Sequence, residues 1–440
     1  MMRRLAFLFA ALLVLLPAEA AKVKPVDALA HVPVWLSEDH TLPVIALTLS
    51  FPAGSSFDPA GKAGMAALAG YLLDEGAGDL NAEAFQSALA AQGIELDVSP
   101  SRDTVTIHLM TLSVHAKEAF RLLGLALTKP RFDADAVTRV RLQMMQSYDV
   151  SREDPNAVAE RSFYSLYFGP YTYGRPVQGD PRSLASISAT ELKAFAKTHW
   201  VQGGMKIAVA GDISAAALAP LLKSNFAALP TTTPALPAAP LRVGAAGLHI
   251  FPLDVSQPAI VFGQPGLLRG DRSFLAGVIA NYILGGSGSG SRLTREIREK
   301  RGLTYDVTTD LVPYRRAGLL LGTVSTRRDA VRQTISLVKE TFRKFSAEGP
   351  SDQELADAKR YLNGSFPLSF TSNADIASQL NSFQQLGLSL DYIERRDALI
   401  AAVSRDDVRE AARRLFDPDK LTIVVAGSLP THNTEPADSP

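Results

Sequence analysis

The chain has no cysteine among its 440 residues, which excludes disulfides, thiolate nucleophiles, cysteine-ligated metals and a lipid-modified cysteine near its start. It has no excess of either charge. Its 45 Lys and Arg balance 45 Asp and Glu without a basic block, so neither nucleic acid nor an anionic membrane surface is an expected partner. Long apolar runs are also missing: Leu5 to Leu16 falls short of the roughly 20 residues of a helical membrane span, and no later stretch is long and apolar enough. Paired histidines are absent as well. The seven histidines stand at positions 31, 40, 108, 115, 199, 249 and 432, and no two form a helical i, i+4 pair.

What is present begins with an address. Arg3 and Arg4 precede the apolar run, and Pro17 with the small-x-small triplet Ala18-Glu19-Ala20 follows it, the layout of a cleavable secretory signal. Residues 1–20 are therefore expected to be removed, with an uncleaved anchor as the competing reading. The mature chain is expected to be exported and periplasmic. A chain of this length buries enough core to do without cross-links.

Gly and Ser alternate from Gly286 to Ser291, immediately before a segment crowded with Arg and Glu. Glycine-rich loops that open helices offer free N–H groups to phosphates. The spelling argues against that here, because counting from Gly286 the sixth position of a dinucleotide fingerprint is Ser291, and no Gly-Lys-Ser/Thr follows. Nucleotide binding stays a distant alternative. The run reads instead as a flexible segment that lets a substrate or the opposite half approach closely, or simply as a loop that starts a helix.

Around Leu229 to Pro240 the text becomes LPTTTPALPAAP, a linker composition. On either side the chain is written twice. Ile187 to Gly211 aligns without a gap on Val403 to Gly427 at a constant offset of 216. Ser188 with Glu191 spells a capping box, and Ser404 with Asp407 approximates one; KIAVAG and TIVVAG then read as buried strands. Helices grouped between hairpin-like strands predict an α+β fold of two homologous halves, each a mainly antiparallel sheet packed with helices. The expected organisation is residues 21–228, a Pro-rich linker at 229–246, a second half at 247–430 and a disordered tail at 431–440.

Three stretches carry a family likeness: FPAGSSFDPAGKAGMAALAGYLLDEG, FGPYTYGRPVQGD with IAVAGDIS, and GGSGSGSRLTREIREKRGLTYDV. In these the chain resembles the insulinase/pitrilysin family of zinc peptidases, whose similar α+β halves close like a clamshell on peptides. Active members carry His-x-x-Glu-His on the first helix, two imidazoles for zinc and a glutamate as general base. The resemblance places Ala67, Gly70 and Tyr71 at those three positions, and Gln146 and Ser147 near the place of the third ligand. No zinc or other cofactor is therefore expected on this chain. His115 with Glu118 gives a partial match, one strand too late and with Ala119 where the second His belongs; it reads as chance.

The family also carries an Arg and a Tyr seven residues apart that reach the substrate, and these match Arg298 and Tyr305. A guanidinium and a phenol suit that task, since they hold a peptide carbonyl without transferring a proton. Each has a bland reading. Arg298 sits in a last turn where the helix dipole favours a cation, beside the i, i+4 pairs Arg295–Glu299 and Glu296–Lys300, and Tyr305 begins a strand where it would merely pack. The resemblance implies a metal-free, Arg/Tyr-type subunit of a heteromeric metalloendopeptidase, inactive without an exported, zinc-bearing homologous partner that shares its peptide substrates. The rival reading is a non-catalytic peptide-binding or scaffold protein of the same fold.

Overall fold

A computed structural model describes residues 23–235, 238, 243–287 and 290–428. The expected signal peptide, the expected tail, part of the expected linker, and Gly288 with Ser289 lie outside the described residues. No helix among the described residues is long and apolar enough to cross a membrane.

Two sheets organise the chain. The first holds β1 (Val23–Pro25), β2 (Val34–Glu38), β3 (Val44–Phe51), β4 (Glu95–Pro100), β5 (Val105–Leu112) and β6 (Lys206–Gly211) in the order β1-β2-β6-β3-β5-β4. The second holds β7 (Gly247–Phe251), β8 (Ala259–Pro265), β9 (Val307–Pro313), β10 (Gly318–Ser325) and β11 (Thr422–Ala426) in the order β7-β11-β8-β10-β9. One pair in each is parallel, β2 with β6 and β7 with β11, and every other pair is antiparallel. The sheets thus repeat strand for strand from β2 to β6 and from β7 to β11, as the 216-residue offset requires; only β1 has no counterpart among the described residues. The helices that lead into β6 and β11 repeat too. Ser188 and Glu191 cap one reciprocally, and Ser404 and Asp407 cap the other as completely, with Asp407 Oδ2 accepting the Ser404 N–H at 2.8 Å. An aspartate reaches as far as a glutamate here.

Each sheet packs one face on helices of its own half and lends the other to a helix of the opposite half. Pro155–Phe168, from the first half, lies on β8 and β11, where Phe163, Tyr167 and Phe168 are buried with Val261, Leu319 and Val424. A Cβ on Gly263 would stand 2.6 Å from the Phe163 ring, so that strand position has to be glycine. Asn373–Gln385, from the second half, lies on β3 and β6 over the small side chains Ala46, Ala208 and Ala210. Its buried amides replace the water lost by strand carbonyls: Asn381 donates to Thr48 (3.2 Å) and Lys206 (3.1 Å), and Gln384 to Pro33 (3.1 Å) and Ile207 (3.0 Å). Neither sheet is fully covered without the other half.

Candidate functional site

Ala67, Gly70 and Tyr71 lie on the helix Met65–Tyr71. Its first turn is held by Asp58, whose carboxylate accepts the N–H groups of Gly64 and Ala66, each at 2.8 Å. Burial pushes the Asp58 carboxyl up to about 7 against the pull of those bonds. Along the helix Ala67 is fully buried. A Cβ on Gly70 would lie 3.0 Å from Val98 Cγ1 on β4. Tyr71 is half-buried, and its hydroxyl accepts the Gln178 amide at 3.2 Å.

These residues do not fit a zinc ion. A methyl group and a missing side chain offer no donor, and a neutral phenol is a poor ligand beside the imidazoles and carboxylates zinc prefers. Gln146 and Ser147 are exposed on the helix Ala134–Ser151 and add no carboxylate. Glu118 is engaged by Arg121 at 2.6 Å. Among the described residues no three His, Asp or Glu side chains gather where a metal could sit.

The Arg/Tyr segment is built differently from expectation. Thr294–Glu299 is a π-helical turn, with Lys300 N–H reaching the Arg295 carbonyl at 3.0 Å, a widened geometry that is rare and recurs at functional sites. Leu293, Ile297 and Leu303 bury its inner face. Gly302, at φ +60°, ends it, with its N–H on Arg298 O and that of Leu303 on Ile297 O. At its start Ser291 is buried, and its hydroxyl accepts the Thr294 N–H at 3.2 Å; this end is capped from within.

The wide turn changes the surface pairs. Glu296 meets Lys300 and Arg301 at 2.5 and 2.9 Å, whereas Arg295 reaches the Gly290 carbonyl at 3.4 Å rather than Glu299. The next strand, β9, begins at Val307, so Tyr305 precedes it and is 86% exposed. Packing therefore does not account for Tyr305. Its backbone is fixed by Thr304, whose hydroxyl donates to the carbonyls of Asp306 and Ser325 at 2.7 Å each. Above that fixed backbone the ring lies 5.2 Å from the exposed Arg298 guanidinium.

Tyr305 borders an open cleft of about 480 Å³ whose wall includes Asn156, Gln257, Asp306, Ser325 and Arg327. Asn156 comes from the first turn of the exchanged helix and meets Ser325 Oγ at 3.3 Å. Ala67, Gly70 and Tyr71 line no part of this cleft.

Two supports escaped the sequence reading. Asp58 was hidden as one acid in a loop, and Arg292 as one cation among many. Arg292 is 15% exposed, grips both oxygens of Glu354 at 2.8 Å and donates to the Gly349 carbonyl at 3.0 Å, over the Phe345 ring. Burial raises the Glu354 carboxyl, but Arg292 outweighs it and brings it to about 2. This fork ties the π turn to the helices Val331–Glu348 and Asp352–Ser365. Ser351-x-x-Glu354, a legible capping box, was the available signal.

Known proteins carry the same architecture. The profile described as Insulinase (Peptidase family M16) matches residues 34–180, and that described as Peptidase M16 inactive domain matches residues 186–362. The chain is 27% identical over 408 residues to the non-peptidase homolog YmxG of Helicobacter pylori, covering 91% of this chain and 92% of that one. It is 26% identical over 350 residues to an uncharacterized zinc protease of Streptomyces coelicolor, covering 78% and 76%. A crystal structure titled peptidase M16 inactive domain, from Pseudomonas fluorescens, superposes with a TM-score of 0.86 at 31% identity, covering 94% of this chain and 99% of that one.

Proposed function

Because the chain belongs to the insulinase family of peptidases, M16, and has Ala67, Gly70 and Tyr71 where that family's zinc motif falls, we propose that it is a non-peptidase member acting as the metal-free subunit of a heteromeric metalloendopeptidase. Its mate is an exported homologue that bears the zinc motif. This chain contributes Arg298 and Tyr305, which grip the backbone of a peptide substrate in the space the two chains share. The observation that carries the reading is the exposed Arg298–Tyr305 pair on a buttressed turn, since neither side chain serves the core.

The chemistry is one of holding. Arg298 donates charge-assisted hydrogen bonds to peptide carbonyls, and the Tyr305 hydroxyl donates one more. Stacking of the cation on the ring keeps both oriented before the peptide arrives. The peptide lies as an added strand on a sheet edge, which gives main-chain affinity with loose side-chain preference.

The test is to capture the tagged mature chain from the exported fraction of its own cells, then measure zinc and peptidase activity in the captured complex and in the separated chains. A zinc-bearing homologue, with activity only when both chains are present, supports the reading. Capture without such a homologue, or peptide binding without cleavage, supports the rival peptide-binding or scaffold role. Tight stoichiometric zinc in this chain alone contradicts both.

A further inference from the structure

The two halves leave a second cleft where they meet. Its walls come from the loop between β4 and β5 (Asp103), the segment after β8 (Leu268, Arg269), the turn between β9 and β10 (Arg315) and the end of the exchanged helix Asn373–Gln385 (Gln385, Leu386). It measures about 810 Å³, inside the range of roughly 300–1,000 Å³ for ligand pockets. It shares no residue with the cleft beside Tyr305.

Three polar groups at this seam have no partner among the described residues. Ser50 and Lys206 pair across β3 and β6, on the face that the exchanged helix covers. The Ser50 hydroxyl is buried and unbonded. The Lys206 ammonium is half-buried and makes no hydrogen bond or ion pair; burial lowers its pKa, and the nearby Arg315 charge lowers it further. Its backbone is tied to the cleft wall, since the Lys206 carbonyl accepts the Asn381 amide at 3.1 Å and Asn381 accepts Gln385 at 2.7 Å. The third group is the exposed Arg315 guanidinium, whose residue is anchored by its backbone N–H on Asp103 at 2.8 Å.

The carboxylates of the seam are already engaged. Asp103 accepts the Tyr173 hydroxyl as well as the Arg315 N–H, and Asp271 is held by two Arg414 nitrogens at 2.7 and 3.2 Å. Residues 236–242 contain no carboxylate. β11 leads to the C-terminal tail from the opposite end of the sheet, since Ala426 pairs with Ala259, whereas the cleft begins beyond Pro265. Two cations and a buried hydroxyl therefore stand together without an acceptor, an arrangement that is costly to keep empty.

We propose that this cleft binds the C-terminal carboxylate of a peptide, with Arg315 and Lys206 on the carboxylate and the last side chain against Leu268 and Leu386. A guanidinium matches the two oxygens of a carboxylate, and an ammonium adds a point charge. Leu268, 48% exposed, supplies the apolar wall. A phosphate fits less well, because the N–H groups of Gly266 and Gly387 that would cradle it are bonded to the Gly318 and Gln384 carbonyls at 3.0 and 3.1 Å. The Thr104 hydroxyl and the Gln385 amide in the same wall suit peptide groups rather than a long alkyl chain. Binding here is independent of the Arg298–Tyr305 reading and requires no second chain.

The test is isothermal titration calorimetry of the mature chain alone, at low salt, with acetyl-Ala-Ala-Leu as the free acid, its C-terminal amide, and inorganic phosphate. The acid is expected to bind, the amide about tenfold more weakly for want of the charge-assisted bonds, and phosphate more weakly than the acid. Arg315→Gln and Lys206→Met are each expected to weaken binding of the acid by about tenfold, whereas Arg343→Gln, an exposed cation on the helix Val331–Glu348, leaves it unchanged. Lys206→Met is also expected to keep or raise the Tm, because it removes an unpaired, half-buried charge. Failure of the acid to bind overturns the proposal. So do equal binding of acid and amide, tighter binding of phosphate than of the acid, acid binding that survives both Arg315→Gln and Lys206→Met, an equal loss with Arg343→Gln, or a Lys206→Met protein with a lowered Tm.

Discussion

The Arg298 guanidinium lies 5.2 Å from the centre of the Tyr305 ring, across the end of a π-helical turn that separates them by seven residues in sequence. The geometry depends on the termination by Gly302, whose φ of +60° lets the chain reverse so that Tyr305 comes back beside the turn it has just left. Below the pair, Ile297 and Leu303 are buried and Thr304 is hydrogen-bonded to two carbonyls. The pair is a set of hydrogen-bond donors exposed to solvent above a fixed backbone, the arrangement on which the proposed grip on a peptide backbone rests.

Restoring the family motif on paper does not restore a site. Ala67→His, Gly70→Glu and Tyr71→His together place bulk where Ala67 is fully buried and where a Cβ on residue 70 already meets Val98 at 3.0 Å. The triple variant is expected to be destabilised by about 1–3 kcal/mol through overpacking and to bind no stoichiometric zinc, because the third ligand and the groups that orient the first two are missing. Urea unfolding and elemental analysis of the purified variant check both parts. A stable, zinc-loaded variant contradicts this account of the helix.

Asp58 gives the fold a pH signature. Its carboxyl titrates near 7 in the folded chain against an ordinary value of 3.8, so between those values the folded state holds a proton that the unfolded chain has released. Its contribution to stability is therefore full below pH 3.8 and is lost as pH rises through 7, at about 1.4 kcal/mol per unit of difference. Asp58→Asn cannot titrate and is expected to show a flatter stability profile from pH 4 to 8. Parallel profiles for wild type and variant show that Asp58 contributes nothing to the slope.

Glu354 has the opposite sign. Held at about 2 by Arg292 against an ordinary 4.5, it contributes stability above pH 4.5 that is lost as pH falls through 2. Glu354→Gln leaves Arg292 half-satisfied in a mostly buried position, and is expected to cost about 1–3 kcal/mol at pH 7 and much less near pH 2. Glu296→Gln, in an exposed pair with Lys300, is expected to cost less than about 1 kcal/mol. Thermal unfolding of the two variants at pH 7 and pH 2.5 separates them.

The duplication was legible because caps and buried strands are local signals: Ser188 and Ser404, and the strands ending at Gly211 and Ala426, announce themselves without reference to the rest of the chain. The exchange of helices was not. Pro155–Phe168 and Asn373–Gln385 bury faces against a sheet of the other half, and no local pattern names a distant partner. β4 gives little local signal, because Glu95–Pro100 is an outer strand with polar residues on its exposed positions. The start of β9 was placed two residues early because Tyr305 has strand propensity, which Gly302 and Thr304 override.

The measurement that bears most directly on the central claim is a steady-state comparison in the proposed complex with a zinc-bearing homologue. Tyr305→Phe is expected to lower kcat by about 10²–10³, the typical effect of losing one donor to a developing oxyanion. Arg298→Ala is expected to lower kcat and also raise KM, because it holds the peptide before reaction. Arg295→Ala, exposed one turn away and bonded to the Gly290 carbonyl, is expected to change little, with assembly intact in all three. Equal activity in the three variants contradicts the account and leaves Arg298 and Tyr305 as relics on a scaffold.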